Sequence, residues 1–334
     1  MPYALESLMH CLTARSIPKL DLIALTNHAN QHLVTPQLHV AMEAQSGWRD
    51  DDLPVLAYWQ RAWQANVRRN AGLRDQLTRL VERLSGAGVR PILFTGATVL
   101  AHAKDSFQAA RMVPDLDILL CENEIDAAIE AIQQDGYVPA EGGPSAHTVG
   151  KFIPSEGMAL LHLHRCAPGS GGALAAREIA NGGTVVSLGG GEAVVPSPTD
   201  ALCIVIAHDL LQDRGLVRGT VHVRHLLDVH RDHLEDRIDW ERVQRRFPSR
   251  IQRMATQMFR MNLERLFGPG PAGPFRPPWW CGAQYRRQLL RFESRAYAMV
   301  DHVLLVETAR WLWQVPKAAR GITIPIDLQK MPRP

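Results

Sequence analysis

Apolar residues fall at three- and four-residue steps through the first quarter of the chain. Leu56, Trp59, Trp63 and Val67 make one stripe, and Leu77, Leu80 and Leu84 make another, the spacing of a single helix face. The segment SGAG (85–88) interrupts that pattern with glycines where a helix C-cap favours them. The period then shortens. Residues 89–94 (VRPILF) and 115–120 (DLDILL) predict strands, and the stretches near 146–153, 158–164, 183–188 and 192–195 predict four more, joined by glycine-rich loops. Residues 122–137 predict a helix, with Glu122 and Glu124 complementing the dipole at its start and Gly136 closing it. At PSPTD (196–200) the helical period returns. Ser197 or Thr199 can cap, Pro198 suits the first turn and Asp200 faces the dipole. Helices are expected over 200–213, 218–232, 239–248, 251–266, 282–295 and 297–314, with a proline-rich connector at 269–280. The chain thus divides into an N-terminal helical segment (1–87), an α/β core (88–196), a C-terminal helical region (197–316) and an irregular tail (317–334).

Composition narrows the class. With 334 residues, 46% hydrophobic and 21% charged, the chain can bury a sizeable core and reads as globular. A net charge of +3 is too small to coat nucleic acid, although a local basic patch is compatible with it. The 5 cysteines are odd in number and none is spaced as CxxC, so reduced thiols are expected rather than a disulfide framework or zinc knuckle. The N-terminus lacks the continuous apolar run of an export signal, and no stretch of about 18 apolar residues predicts a membrane span. Cytoplasm is the expected compartment.

The chemistry gathers around Asp115 and Asp117. Residues i and i+2 of a strand share a face, so these two carboxylates stand side by side ahead of the apolar run Ile118-Leu119-Leu120. Like charges there repel unless something neutralises them, and a divalent ion with hard oxygen ligands, Mg²⁺ or Mn²⁺, would do so. Upstream, Thr95-Gly96 forms a tight turn before a helix, where backbone N–H groups bind phosphate oxygens. A phosphate cradle beside metal carboxylates is the minimum apparatus for in-line attack on a nucleoside triphosphate.

These pieces resemble, in order, a bacterial nucleotidyltransferase family of the DNA polymerase β-type superfamily. The resemblance runs over about 75–250: FTGA (94–97), RMVPDLD (111–117), DGY (135–137), LHLHR (161–165), PSPTDALCIVIAHDLL (196–211), VRHLLDVHRDH (223–233) and IDWERV (238–243). It implies an α/β (α+β) fold: a nucleotidyltransferase-like mixed-sheet core flanked by N-terminal helices and a C-terminal helical region. It also implies metal-dependent transfer of a nucleoside monophosphate from a nucleoside triphosphate to a hydroxyl. In that reading Asp115 and Asp117 hold the metal, Thr95, Gly96 and Arg111 bind the nucleotide, and His164, His208 and Asp228 border the substrate cleft. The chain departs from the family in two places. Thr95 stands where the turn usually carries lysine. His162 stands where a third carboxylate completes the metal site. His162 is then a general base, a ligand for a softer metal, or the mark of a degenerate module that binds nucleotide or protein without turnover; otherwise the third acid is Glu156 or Glu141.

Other features have plainer readings. Arg224 and Asp228 are four apart and suit an intrahelical ion pair. His222, His225, His230 and His233 lack an HExxH pattern and any companion cysteine, so a solvated helix face is expected rather than zinc. The pairs Trp279-Trp280 and Trp311-Trp313 suit core or interface. The acceptor is expected to be a small molecule, peptide or protein rather than a long nucleic acid.

Overall fold

The computed structural model describes residues 4–13, 21–43, 45, 48, 50–103, 105–141, 143–172, 174–271, 273–294 and 296–302. Most of the helix expected over 297–314, the pair Trp311-Trp313 and the tail lie outside the described residues. Four helices lead: α1 (Ala4–Leu12), α2 (Leu22–Gln31), α3 (Thr35–Met42) and α4 (Leu53–Gly86). Next come β1 (Ile92–Leu93), α5 (Gly96–His102), α6 (Ser106–Ala109), β2 (Leu116–Leu119), α7 (Ile125–Gln134), β3 (Val138–Pro139), β4 (Thr148–Ile153), β5 (Leu161–His164), α8 (Ala176–Gly182), β6 (Thr184–Leu188) and β7 (Gly191–Val195). The chain continues through α9 (Pro198–Ile206), a π-helical segment (Ala207–Gln212), α10 (Gly215–Arg218), α11 (Val223–Leu234), α12 (Trp240–Arg246), α13 (Arg250–Phe267) and α14 (Trp279–Glu293). Among the described residues no helix is long and apolar enough to cross a membrane.

The seven strands form one mixed sheet in the order β3-β4-β5-β2-β1-β7-β6, the α+β architecture expected from the sequence. β2 and β5 run parallel at its centre, and β1 joins β2 antiparallel and β7 parallel. Side-chain alternation divides the sheet between two cores. Leu93, Leu116, Ile118, Leu161 and Leu163 face α7 and the second half of α4, including Leu73, Leu77, Leu80 and Leu84. Ile92, Phe94, Leu119 and Val194 face a helical layer. That layer mixes both ends of the chain: Leu5, Leu8 and Met9 of α1 share its core with Met258 and Leu263 of α13 and Leu289 of α14. Burying each such side chain contributes roughly 1.5–3 kcal/mol. α4, 34 residues long, reaches both cores, with Trp59 in one and Leu73 to Leu84 in the other.

Several elements are shorter or more broken than expected. The strand over 89–94 reduces to Ile92–Leu93, because Pro91 has no N–H for the ladder and Thr95 already turns. The helix over 200–213 splits into α9 and the π segment. That over 218–232 begins only at Val223, as α11, preceded by the one-turn α10 with Arg214 and Gly219 left-handed at either end. β3 was not expected at all. Ser197 caps α9 by accepting from the Asp200 N–H at 3.2 Å.

Candidate active site

The parallel β2–β5 pair brings the two motifs into register: Asp117 stands beside His162, and Leu119 beside His164. Since Leu119 faces the helical layer, Asp117 and the two histidines face it as well. His162 Nδ1 lies 3.5 Å from Asp115 Oδ2 and 3.5 Å from Asp117 Oδ1. His164 Nε2 lies 3.3 Å from the same Asp117 oxygen. The other Asp117 oxygen accepts a 3.0 Å bond from the Thr95 hydroxyl. The imidazole of His164 meets Phe94 edge-on and stacks parallel to His147. Glu141 and Glu156 are exposed, and the groups facing both aspartates from β5 are imidazoles.

The two carboxyls are shifted in opposite directions. Burial raises both. At Asp117 the hydrogen bonds and charges of His162 and His164 outweigh it and hold the carboxyl far below its ordinary range. At Asp115 burial and the negative charge of Asp117 win over His162, Arg224 and Arg111, and the carboxyl is pushed up. Adding positive charge beside the pair would relieve this repulsion. Asp117, His162 and His164 each offer a ligand atom, all within 4.8 Å of one another. His162 Nε2 and His164 Nδ1 are buried without a partner, polar atoms that a bound group would satisfy. Carboxylates mixed with imidazoles fit a divalent ion of borderline softness, Mn²⁺ more readily than Mg²⁺.

The turn before α5 is a type II′ β-turn in all but its residues. Thr95 has φ 49° and ψ −120°, and the Ala97 N–H returns to the Phe94 carbonyl at 3.2 Å. That first central position belongs to glycine; a β-branched residue there is strained by about 1–3 kcal/mol. Gly96, the second central residue, is buried for another reason. A Cβ on it would stand 2.6 Å from Val113 Cγ1 and 3.0 Å from Arg111 Nη1. The turn therefore packs on the segment that leads into Asp115.

That segment is anchored by residues the sequence reading passed over. Its carbonyls lack ladder partners, and α4 supplies them. Asn66 donates to Ala110 (3.0 Å), Asn70 to Ala109 (3.0 Å) and Arg111 (2.8 Å), and Arg69 to Val113 and Pro114. Polar residues four apart on an otherwise apolar helix face are the signal that could have disclosed them. Arg111 itself is almost wholly buried and gives Nε to both oxygens of Asp228 on α11, at 2.7 and 2.9 Å. This corrects the intrahelical pair expected for Arg224 and Asp228. The buried guanidinium takes both carboxylate oxygens, and Arg224 donates to the Met112 carbonyl at 3.4 Å.

His208 belongs to a second cluster. Its Nδ1 and that of His225 lie 2.9 and 2.8 Å from one oxygen of Asp209. Burial lowers the His208 imidazole, but the hydrogen bond and charge of Asp209, with Asp213 and Asp117 behind them, hold it up at about 9. Since Asp117 contributes to that field, the two clusters are within electrostatic reach. The solvated face expected of the α11 histidines is likewise corrected: His225 and His233 are buried, and His233 Nε2 donates to the Gly268 carbonyl at 3.1 Å. Trp279 is exposed and Trp280 packs against the helical core. A cavity of about 290 Å³ touches the site through Thr95 and Asp228 and runs between Val195, Ile204 and Leu227.

No curated protein and no solved structure matches the chain. The sequence model of a family described as uncharacterised nucleotidyltransferase matches residues 18–268. That span runs to the end of α13 and takes in both halves of the Arg111–Asp228 clasp, and the chain belongs to this nucleotidyltransferase family.

Proposed function

We propose that the protein transfers a nucleoside monophosphate from a nucleoside triphosphate to a hydroxyl acceptor and releases pyrophosphate. The observation that carries this reading is the convergence of Asp115 and Asp117 on His162, whose Nδ1 lies 3.5 Å from a carboxylate oxygen of each. In this reading Asp115 and Asp117 would hold a divalent ion. Such an ion supplies charge neutralisation on the triphosphate and acidifies a bound hydroxyl. Thr95 keeps Asp117 oriented through its hydroxyl. Gly96 lets the turn lie against Arg111, whose positive charge is already felt at Asp115. His162 takes the proton of the acceptor hydroxyl as its oxygen bonds to the α-phosphorus. The bond from that phosphorus to the bridging oxygen breaks, and pyrophosphate leaves with the electron pair. The 290 Å³ cavity behind Thr95 offers apolar walls to one of the two substrates.

A second reading has support in one residue. His162 occupies the place opposite Asp117 where an acid would complete the metal site, which favours a module that binds nucleotide without turning it over. The two readings separate in one assay. The protein is incubated with Mg²⁺ or Mn²⁺ and each α-labelled nucleoside triphosphate, with and without a small-molecule and peptide extract, and pyrophosphate is measured. The transferase reading expects release that falls at least about 100-fold in Asp117→Asn. Binding of nucleotide with no release under either metal establishes the module instead. Absence of both binding and release sinks both.

A further inference from the structure

We infer that the cluster around Asp209 is a second metal site, built for a divalent transition ion such as Zn²⁺ and separate from the Asp115–Asp117 pair. Asp209 is a buried carboxylate whose ion pairs among the described residues are with imidazoles, His208 and His225. His208 Nδ1 and His225 Nδ1 lie 2.9 and 2.8 Å from Asp209 Oδ1, and His225 Nδ1 lies 3.0 Å from Oδ2. His208 Nδ1 is also 3.6 Å from Asp213 Oδ2, and His222 Nε2 is 3.8 Å from that same oxygen. Two overlapping triads result, His208–Asp209–His225 and Asp209–Asp213–His222, each with its ligand atoms within 4.8 Å of one another. Four ligands around Zn²⁺ at bond lengths of roughly 2.0–2.1 Å stand roughly 3.3–3.5 Å apart, in the middle of the separations found here. Imidazole with carboxylate is the donor set of zinc and its neighbours, not of Mg²⁺.

The backbone is arranged for this convergence. His208 and Asp213 are five apart, and on a regular α-helix they would point in different directions. The π segment removes that difference: the Asp213 N–H bonds to the His208 carbonyl at 2.9 Å, which stacks the two side chains one turn apart. Such π turns concentrate at functional sites. Gly169, at φ +76°, presses on the segment so closely that a Cβ would lie 2.2 Å from the Ala207 carbonyl. From the other side, α11 presents His222 and His225 three residues apart, their rings parallel within 6° at 5.7 Å. Asp209 and His225 are the buried floor, whereas Asp213, His208 and His222 remain partly exposed, so an ion has an open approach.

Chelator-stripped full-length protein should take up Zn²⁺ in competition with a chromophoric chelator. With Co²⁺ in its place, the ligand-field absorption of a nitrogen- and oxygen-ligated ion should appear. Asp117→Asn should leave this binding class intact. His225→Gln should weaken it at least about tenfold, the lower end of what losing even an outer partner of a metal does. Should His225→Gln fail to fold by circular dichroism, the half-exposed His222→Gln serves the same comparison. Stripped wild-type protein that binds no Zn²⁺, or affinity unchanged in His225→Gln and His222→Gln but lost in Asp117→Asn, overturns the inference. Because Asp117→Asn removes the first site alone, failure of the proposed transfer reaction and failure of this site are read separately.

Discussion

At Thr95 two effects of similar size oppose each other. Its positive φ is strained by about 1–3 kcal/mol, and its hydroxyl bonds to the ionised Asp117, which contributes about 1.5–3 kcal/mol. Thr95→Val keeps the strain and loses the bond, so it should unfold at lower denaturant, with a loss of about 1.5–3 kcal/mol. Thr95→Gly loses both, and its stability should stay within about 1 kcal/mol of wild type. Equal losses in the two variants would show that the turn is unstrained. Asp117 was legible because strand alternation is local, although Asp115, expected on that same strand, stands on a bend one residue before β2. His162 and His164 were legible for the same reason. Asp209 was not. On paper it is one acid in an amphipathic helix, and only the π turn and the opposing α11 reveal its three imidazoles.

Elements dock here through glycines and through rings. Gly169→Ala would drive a methyl into the Ala207 carbonyl from a left-handed backbone. It should lower stability by about 1–3 kcal/mol, measured by urea unfolding, and the loss should exceed that of an alanine placed at the open Gly86. On the opposite flank α14 rests on α2 through Phe292, sandwiched between His28 and His32 at 4.8 and 4.5 Å. Burial, with the charges of His28, His222 and Arg224, pushes His32 down to about 4. The folded state therefore refuses a proton that the unfolded chain accepts near 6.5. Stability from this contact is present above pH 6.5 and is lost as pH falls from there through 4. Thermal unfolding followed across that window should show a steeper acid-side decline in wild type than in His32→Phe. The periodicity found the long helices from α4 onward but missed α8 (Ala176–Gly182) among the glycine-rich loops; nor could it show that α1 and α14 would meet, since packing partners far apart in sequence leave no trace in a local period.

Across the whole molecule, a buried charge pair that no local pattern announces helps join the core to the helical layer. Arg111 and Asp228 are separated by 117 positions in the chain, and each is too buried to be left alone. Arg111→Met should destabilise the protein by about 3–5 kcal/mol by stranding the carboxylate. The double variant Arg111→Met/Asp228→Leu should regain most of that loss, with denaturant midpoints closing the cycle. A double variant as unstable as the single one would show that the pair's worth lies in shape rather than charge. The same clasp sets a rule for how such a chain can vary through descent. A change at either partner is tolerated only alongside a change at the other, so among relatives these two columns should move in step. The strand that carries Asp117 and the helix that clasps its approach then form one inherited unit.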